Sequence, residues 1–252
     1  AGVNPKPFVV PELKEWHGAE GYMTLSGKYV VNGRKAAAEV GEMFAADYGN
    51  LMGTQLTLKN GKPSTGDILL VLKADKSLGQ EGYRISIGDF TTVSAATVKG
   101  LKWGTRTVLQ MAEQNKPNGG ALPKGNIVDT PEYGLRGFMM DCGRKFIPMD
   151  YLRSLVKTMA YYKMNTLQIH LNDNGFRQFF DNDWDKTQAA FRLECDTYPG
   201  LTARDGSYTK KEFIDLQKLA EQYGVDIIPE IDVPAHSLAF VHYKPEIGSK
   251  EY

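Results

Sequence analysis

Cysteine is nearly missing from this chain. The two that occur, Cys142 and Cys195, are too few for a disulfide scaffold and do not fall at zinc-finger spacing. They read as two free thiols, with a bridge between them as the alternative, because both lie near the same end of the predicted second-domain sheet. Net charge is missing too: 30 basic residues balance 30 acidic ones. Without a basic stripe, neither nucleic acid nor an anionic membrane surface is an expected partner. No apolar run approaches the length of a membrane span. The opening AGVNPKPFVV has no basic segment leading into an apolar one, so no signal peptide is expected there.

What the chain does have is length and apolar content enough for a real core: 252 residues, 42% of them hydrophobic. Residues Ala1 to about Glu20 are proline-rich through Pro5, Pro7 and Pro11, with an edge strand expected around Phe8 to Val10. From Asn32 to Tyr48, Ala37, Val40, Phe44 and Tyr48 recur at helical spacing. Ile68 to Lys73 reads as a buried strand. Gly82 to Ile87 and Phe90 to Thr97, joined by the turn signal Gly88-Asp89, predict a hairpin. A second helix is expected over Val98 to Gln114, with Leu101, Thr105, Val108, Leu109 and Ala112 on one face and Pro117 to Gly120 ending it. This gives an α+β domain over residues 1–133 with no catalytic constellation of its own, and its one histidine, His17, reads as an exposed residue. Ala121 to Gly134 is short, polar and proline-bearing, and reads as the boundary.

Beyond Gly134 the pattern changes to three strand-and-helix units. The strands are Leu135 to Cys142, Thr166 to Leu171 and Val225 to Asp232, and the alternation predicts right-handed crossovers and a parallel sheet. In such sheets chemistry gathers at the carboxyl ends of strands, where His170, Asp173, Glu230, Asp232 and His236 fall. Leu152, Leu155, Val156 and Met159 mark one helix, with Asn165 as its stop signal. Thr209 and Glu212 have capping-box spacing ahead of a second, whose stripe is Phe213, Leu216, Leu219, Ala220 and Tyr223 before Gly224. The loop Asn172 to Tyr208 exceeds the usual connection length, and long loops on that rim commonly form the walls of a site. A strand-end histidine such as His170 reads equally as a hydrogen-bonded core residue or a functional one.

Four blocks in this region resemble glycoside hydrolase family 20, the β-N-acetylhexosaminidases. They are LRGFMMDCGRKFIP at Leu135 to Pro148, MAYYKMNTLQIHLND at Met159 to Asp173, YPGLTARDGSYTKKEF at Tyr198 to Phe213 and VDIIPEIDVPAH at Val225 to His236. The region before Gly134 is similar to the small α+β domain that precedes the barrel in that family. The resemblance implies an α/β fold: the small α+β domain, then, over residues 134–252, the first three βα units of a truncated (β/α)8 TIM-type barrel. From Gly134 only 252 − 134 = 118 residues remain, against about 250 for a complete barrel. Where much of the family reads His-Leu-x-Asp-Asp-Gln-Gly-Trp-Arg, this chain has HLNDNGFR at His170 to Arg177, and it has Pro-Ala-His in place of Pro-Gly-His. Both variants are similar to the branch holding large streptococcal-type hexosaminidases and lacto-N-biosidases.

The activity implied is removal of terminal N-acetylhexosamine from β-linked glycans by substrate-assisted, retaining catalysis, in which the sugar's 2-acetamido oxygen attacks its own anomeric carbon. The family's adjacent Asp-Glu pair, which orients the acetamido group and protonates the leaving oxygen, has no counterpart, because the chain contains no Asp-Glu dipeptide. The chain is therefore expected to be inactive alone. Asp173 and His236 resemble the carboxylate and histidine supporting the missing acid, and Arg136 the arginine that holds sugar hydroxyls, with His170 as a further substrate-binding candidate. At the start of its strand, Arg136 reads equally as an ion-pair partner of Asp141 or Glu230. No cofactor and no metal are implied. A metal-dependent hydrolase using His170, Asp173 and His236 is disfavoured, since they lack a paired-histidine strand motif. The remaining alternative is a non-catalytic carbohydrate-binding or interaction module. An unclosed barrel leaves an unpaired edge, so self-association is expected, and the substrate class leads one to expect a periplasmic or extracellular location.

Overall fold

The computed structural model describes residues 2–249, so the last three residues of the second predicted region lie outside the described residues. The chain divides into two units, Ala1–Gly134 with Ala160–Lys163 and Leu135–Met159 with Met164–Tyr252. In the first unit seven strands form one mixed sheet: β1 (Glu15–Met23), β2 (Lys28–Asn32), β3 (Thr57–Leu58), β4 (Ile68–Leu72), β5 (Tyr83–Ile87), β6 (Thr91–Ala95) and β7 (Leu122–Asp129). Their order is β1-β7-β5-β6-β4-β2-β3. Two helices, α1 (Lys35–Met52) and α2 (Val98–Gln114), pack against it and against each other. The alternation in β5 explains which face they cover: Tyr83, Ile85 and Ile87 are buried while Arg84 and Ser86 are exposed. The approach is close at Gly104, where a Cβ would stand 2.5 Å from Val93 Cγ1.

The hairpin and both helices lie where the pattern places them, with β5 and β6 antiparallel and Ala37, Val40, Phe44 and Tyr48 buried on α1. Two expectations fail. Phe8 to Val10 is not a strand. The side chain of Gln110 takes the place of a ladder partner, accepting from the Val10 N–H at 2.9 Å and donating to its carbonyl at 2.9 Å. The segment expected to be the boundary ends where the two units divide, at Gly134, but it is not a linker: most of it is the strand β7, paired with both β1 and β5. Pro123 and Gly125 conceal it in the sequence, but a register irregularity in β1 between Gly18 and Tyr22 accommodates them, and the Trp16 ring occupies the space a Cβ at Gly125 would need.

The second unit is built on a three-stranded parallel sheet of β8 (Gly137–Asp141), β9 (Thr166–His170) and β12 (Asp226–Glu230), with β9 in the middle. Helix α3 (Met149–Tyr161) follows β8 and buries Leu152, Val156 and Met159, and α4 (Lys210–Gln222) precedes β12. Asn165 does not stop α3, which ends at Tyr161; it ties β8 to β9, accepting from the Arg136 N–H at 3.0 Å through its side chain. The long connection carries its own two-stranded antiparallel sheet, β10 (Asn172–Asn174) with β11 (Ala189–Phe191), and a short helix α5 (Leu238–Tyr243) follows β12. Among the described residues no helix is long and apolar enough to cross a membrane.

The start of α4 is as the sequence predicts. Thr209 accepts from the Glu212 N–H and the Glu212 carboxylate accepts from the Thr209 N–H, a complete capping box, with Gly224 at φ 77° beyond the other end. Thr209→Ala is expected to lower the stability of this unit by about 1 kcal/mol. The urea midpoint measures that, and an unchanged midpoint would mean the cap is dispensable.

Candidate active site

The parallel register sets three side chains in a row. His170 on β9 is aligned with Asp141 on β8 and with Glu230 on β12, so one imidazole sits between two acidic positions at the carboxyl ends of the strands. One residue beyond β9, the chain turns into β10 and carries Asp173 back over that row. Asp173 is buried at 1% exposure, and its carboxylate is surrounded by donors. His170 Nε2 lies 2.6 Å away, Arg144 Nη1 2.9 Å, the Asn174 N–H 2.7 Å and His236 Nδ1 2.9 Å.

His236 arrives from the turn after β12. Its backbone is in the left-handed region at φ 57°, a conformation that costs a histidine energy and needs support. Asn172 supplies it: the side chain donates to the carbonyls of Asp232 at 3.0 Å and His236 at 2.8 Å, and accepts from the Asp232 N–H at 3.0 Å. With the carboxylate oxygen Asp173 Oδ1 at 2.9 Å, His236 Nδ1 is the donor of that bond. Arg144 Nη2, at 3.5 Å from the same nitrogen, is too distant to compete. Half-exposed, His236 lines an open groove of about 1210 Å³ together with Asn174, Trp184, Val233 and Phe240.

The electrostatics follow from these contacts. Burial alone would raise the Asp173 carboxyl, but bonds from His170, the Asn174 N–H and His236, with the charge of Arg144, hold it below the usual carboxylate value. Burial alone would likewise lower His170, yet its bond to Asp173, the Glu230 carboxylate beside its other nitrogen and the charges of both hold it above the usual histidine value. Glu230 and Asp232 stand together and shift in opposite directions. Asp232 is pushed up by its bond to Glu230, by burial and by Glu230's charge; Glu230 is pulled down because bonds from Gln168, Asp232 and His170 outweigh its burial.

The structure thus brings together His170, Asp173 and His236, with Glu230 and Asp232 at one side. Arg136 precedes β8, at the opposite end of the sheet, about 16 Å along the strand from the level of His170. Of the two acids proposed as its partners, Asp141 bonds Arg144, and Glu230 meets His170 and Gln168. The arginine beside Asp173 is Arg144, bonded to Asp141 at 2.8 Å and lying over the Phe176 ring. Sequence reasoning missed it, although an acid and an arginine three residues apart at a strand's carboxyl end satisfy the rule that selected the others. His170 is 5% exposed and faces Asp173, so its position is beneath that carboxylate, away from the open groove.

A second arginine had no signal in the sequence. The motif HLNDNGFR draws attention to Arg177, which is exposed and stacks on Trp184. The buried arginine is Arg192, whose guanidinium donates to the carbonyls of Cys142, Gly143 and Gly206 and to Asp205. Through Gly143 it bears on the site, since a Cβ there would stand 2.6 Å from the Asp173 nitrogen and 2.7 Å from the Asn172 carbonyl carbon. Gly143→Ala is therefore expected to displace Asp173 and cost about 1–3 kcal/mol. Proton chemical shifts of the His236 ring would register the displacement, and unaltered shifts would refute it. Cys142 and Cys195 are both free thiols, so no bridge forms between them, and burial pushes the Cys142 thiol up.

Comparison with known proteins places this geometry. The family model described as "Glycosyl hydrolase family 20, domain 2" matches residues 6–130, and "Glycosyl hydrolase family 20, catalytic domain" matches residues 133–252. A β-hexosaminidase of Akkermansia muciniphila is 32% identical over 171 residues, covering 68% of this chain and 35% of that protein. A β-N-acetylhexosaminidase of Cellulomonas fimi is 27% identical over 245 residues, covering 95% of this chain and 47% of that one. The solved N-acetyl-β-hexosaminidase of Streptomyces plicatus superposes with a TM-score of 0.82 at 26% identity, over 98% of this chain and 50% of its own. The chain therefore spans half or less of the length of these relatives.

Proposed function

This chain belongs to glycosyl hydrolase family 20, and from that premise we propose that it carries part of the sugar pocket of an enzyme that removes terminal N-acetylhexosamine from β-linked glycans. The observation supporting the reading is the Asp173–His236 pair, with an ionised, many-times-bonded carboxylate fixing the histidine through Nδ1. Such a pair holds and tunes a neighbouring proton donor. Arg136 keeps the part of the arginine that holds sugar hydroxyls, and Arg144, a rigid fork of donors beside Asp173, is a second group suited to it. In the substrate-assisted, retaining scheme the acetamido oxygen closes on the anomeric carbon while an acid protonates the leaving oxygen. The 252 residues contain no adjacent Asp-Glu pair to supply that acid and its companion.

The proposal assigns those two residues to polypeptide that these 252 residues do not include, with a barrel completed around β8, β9 and β12. A barrel completed in this way would pair the outer strands, which otherwise favour self-association. It also assigns the protein to the periplasm or cell exterior, where such glycans occur. No metal enters the scheme: Asp173 already accepts from two histidines, an arginine and a backbone N–H.

The 252-residue chain is expected to give no turnover of an aryl N-acetyl-β-glucosaminide, whereas the complete gene product cleaves it with retained anomeric configuration. Turnover by the chain alone would sink the assignment of the acid. A complete product that binds the sugar without cleaving it would favour the binding-module reading.

A further inference from the structure

A neutral imidazole has one ring N–H and one lone pair. His170 meets a carboxylate at each nitrogen: Asp173 Oδ2 at 2.6 Å from Nε2, and Glu230 Oε1 at 3.1 Å from Nδ1, with Asp232 Oδ2 behind it at 3.8 Å. The ring is buried, so water does not separate these charges. A neutral ring would aim its lone pair at an ionised oxygen on one side or the other, which a low-dielectric setting makes costly.

We propose that His170 is a positioning residue that stays doubly protonated: a fixed cation that ties the ends of β9 and β12 together and pins the Asp173 carboxylate, leaving its other oxygen for His236. Its bearing on hydrolysis rests on the functional reading above; its charge state does not. The groups facing it are Asp141 and Arg144 from the end of β8, Asp173 from its own turn, Glu230 and Asp232 from the end of β12, and His236. Four carboxyl groups against one guanidinium leave surroundings that hold the second ring proton. The Nδ1–Glu230 contact is off-line, and Nδ1 makes no well-directed hydrogen bond, so this side acts through charge.

The arrangement has a rival. His170, Glu230 and Asp232 offer ligand atoms within 4.8 Å of one another, a spacing that would also suit a divalent cation. A cation there would have to displace the Gln168 N–H bonded to Glu230 at 2.6 Å.

Ring-nitrogen-labelled histidine in the 252-residue chain decides the matter by long-range proton–nitrogen correlation from pH 5 to 9. Assignment uses His17→Gln, His236→Gln and His242→Gln. The expected spectrum has both His170 nitrogens protonated at pH 7, with the second proton lost only well above the unfolded value of about 6.5, and no response to zinc or a chelator. In His170→Gln, the His236 ring is expected to lose its preference for the Nδ1–H tautomer, a change that a merely space-filling role for His170 would not produce. One bare His170 nitrogen at pH 7, or a spectrum that shifts with stoichiometric zinc and reverts on chelation, overturns the proposal. The unmodified chain decides this even if the variant fails to fold. Absence of hydrolysis by the complete gene product would sink the functional reading and leave this result standing.

Discussion

Asp173→Ala is expected to destabilise the second unit by about 3–5 kcal/mol, because it removes one member of a buried charged set and leaves the others uncompensated. His170, the Asn174 N–H and His236 would each lose an acceptor, and Arg144 would keep Asp141 as its carboxylate partner beside the Asn174 carbonyl. Asp173→Asn keeps the shape but loses the charge, and its amide would point donors at donors. In a complete, active gene product, that substitution is expected to lower kcat by about 10²–10⁴, the usual range for disabling a proton-handling group. The sign of the pH dependence is fixed by the direction of the shift. Asp173 is held below its unfolded value, so its contribution is present above about pH 3.9 and is lost as the pH falls through the lower folded value. Asp173→Asn should therefore flatten the acid limb of a stability profile measured by hydrogen exchange at Thr166 to His170. An unchanged limb would show that the carboxylate's bonds do not stabilise the fold.

Arg192→Met is expected to have a comparable effect, about 3–5 kcal/mol, although Arg192 is not in the groove. Its side chain is fully buried and donates four bonds of 2.7–3.0 Å, three of them to main-chain carbonyls that would lose this donor. Arg192→Lys should recover only part of the loss, since a single ammonium cannot reach acceptors spread over a planar fork. Because Gly143 lies directly under Asp173, the same change should also loosen the His236 ring. Urea midpoints for the two variants, with histidine ring spectra, separate these effects. Equal midpoints for Lys and Arg would mean that charge alone, and not the fork, is what the site uses.

These two residues also show what a reader of the sequence can and cannot see. Asp173 and His236 are legible because the fold rule says where to look: polar residues just past apolar strands. The capping box at Thr209 and the hairpin around Gly88 are legible because their chemistry is local. Arg192 was not legible, since its partners are carbonyls 49 and 50 residues earlier and no side-chain pattern marks a carbonyl. The strand β7 was hidden by a proline and a glycine whose cost is absorbed by an irregularity in another strand and by Trp16. How far along the strand Arg136 stands from the row of His170 follows from the register, which becomes available only when β8 and β9 are paired.

The antiparallel pair β10–β11 has a consequence for how this family member could diversify. The Gly175 N–H donates to the Gln188 carbonyl at 2.7 Å, so the segment between them leaves and re-enters the fold at one clasp. Closing a longer excursion from a fixed clasp costs only about 0.6 kcal/mol per doubling of its length. Residues 176 to 187 can therefore be exchanged wholesale, as a cassette, while the carboxylate two positions ahead of the clasp stays where it is.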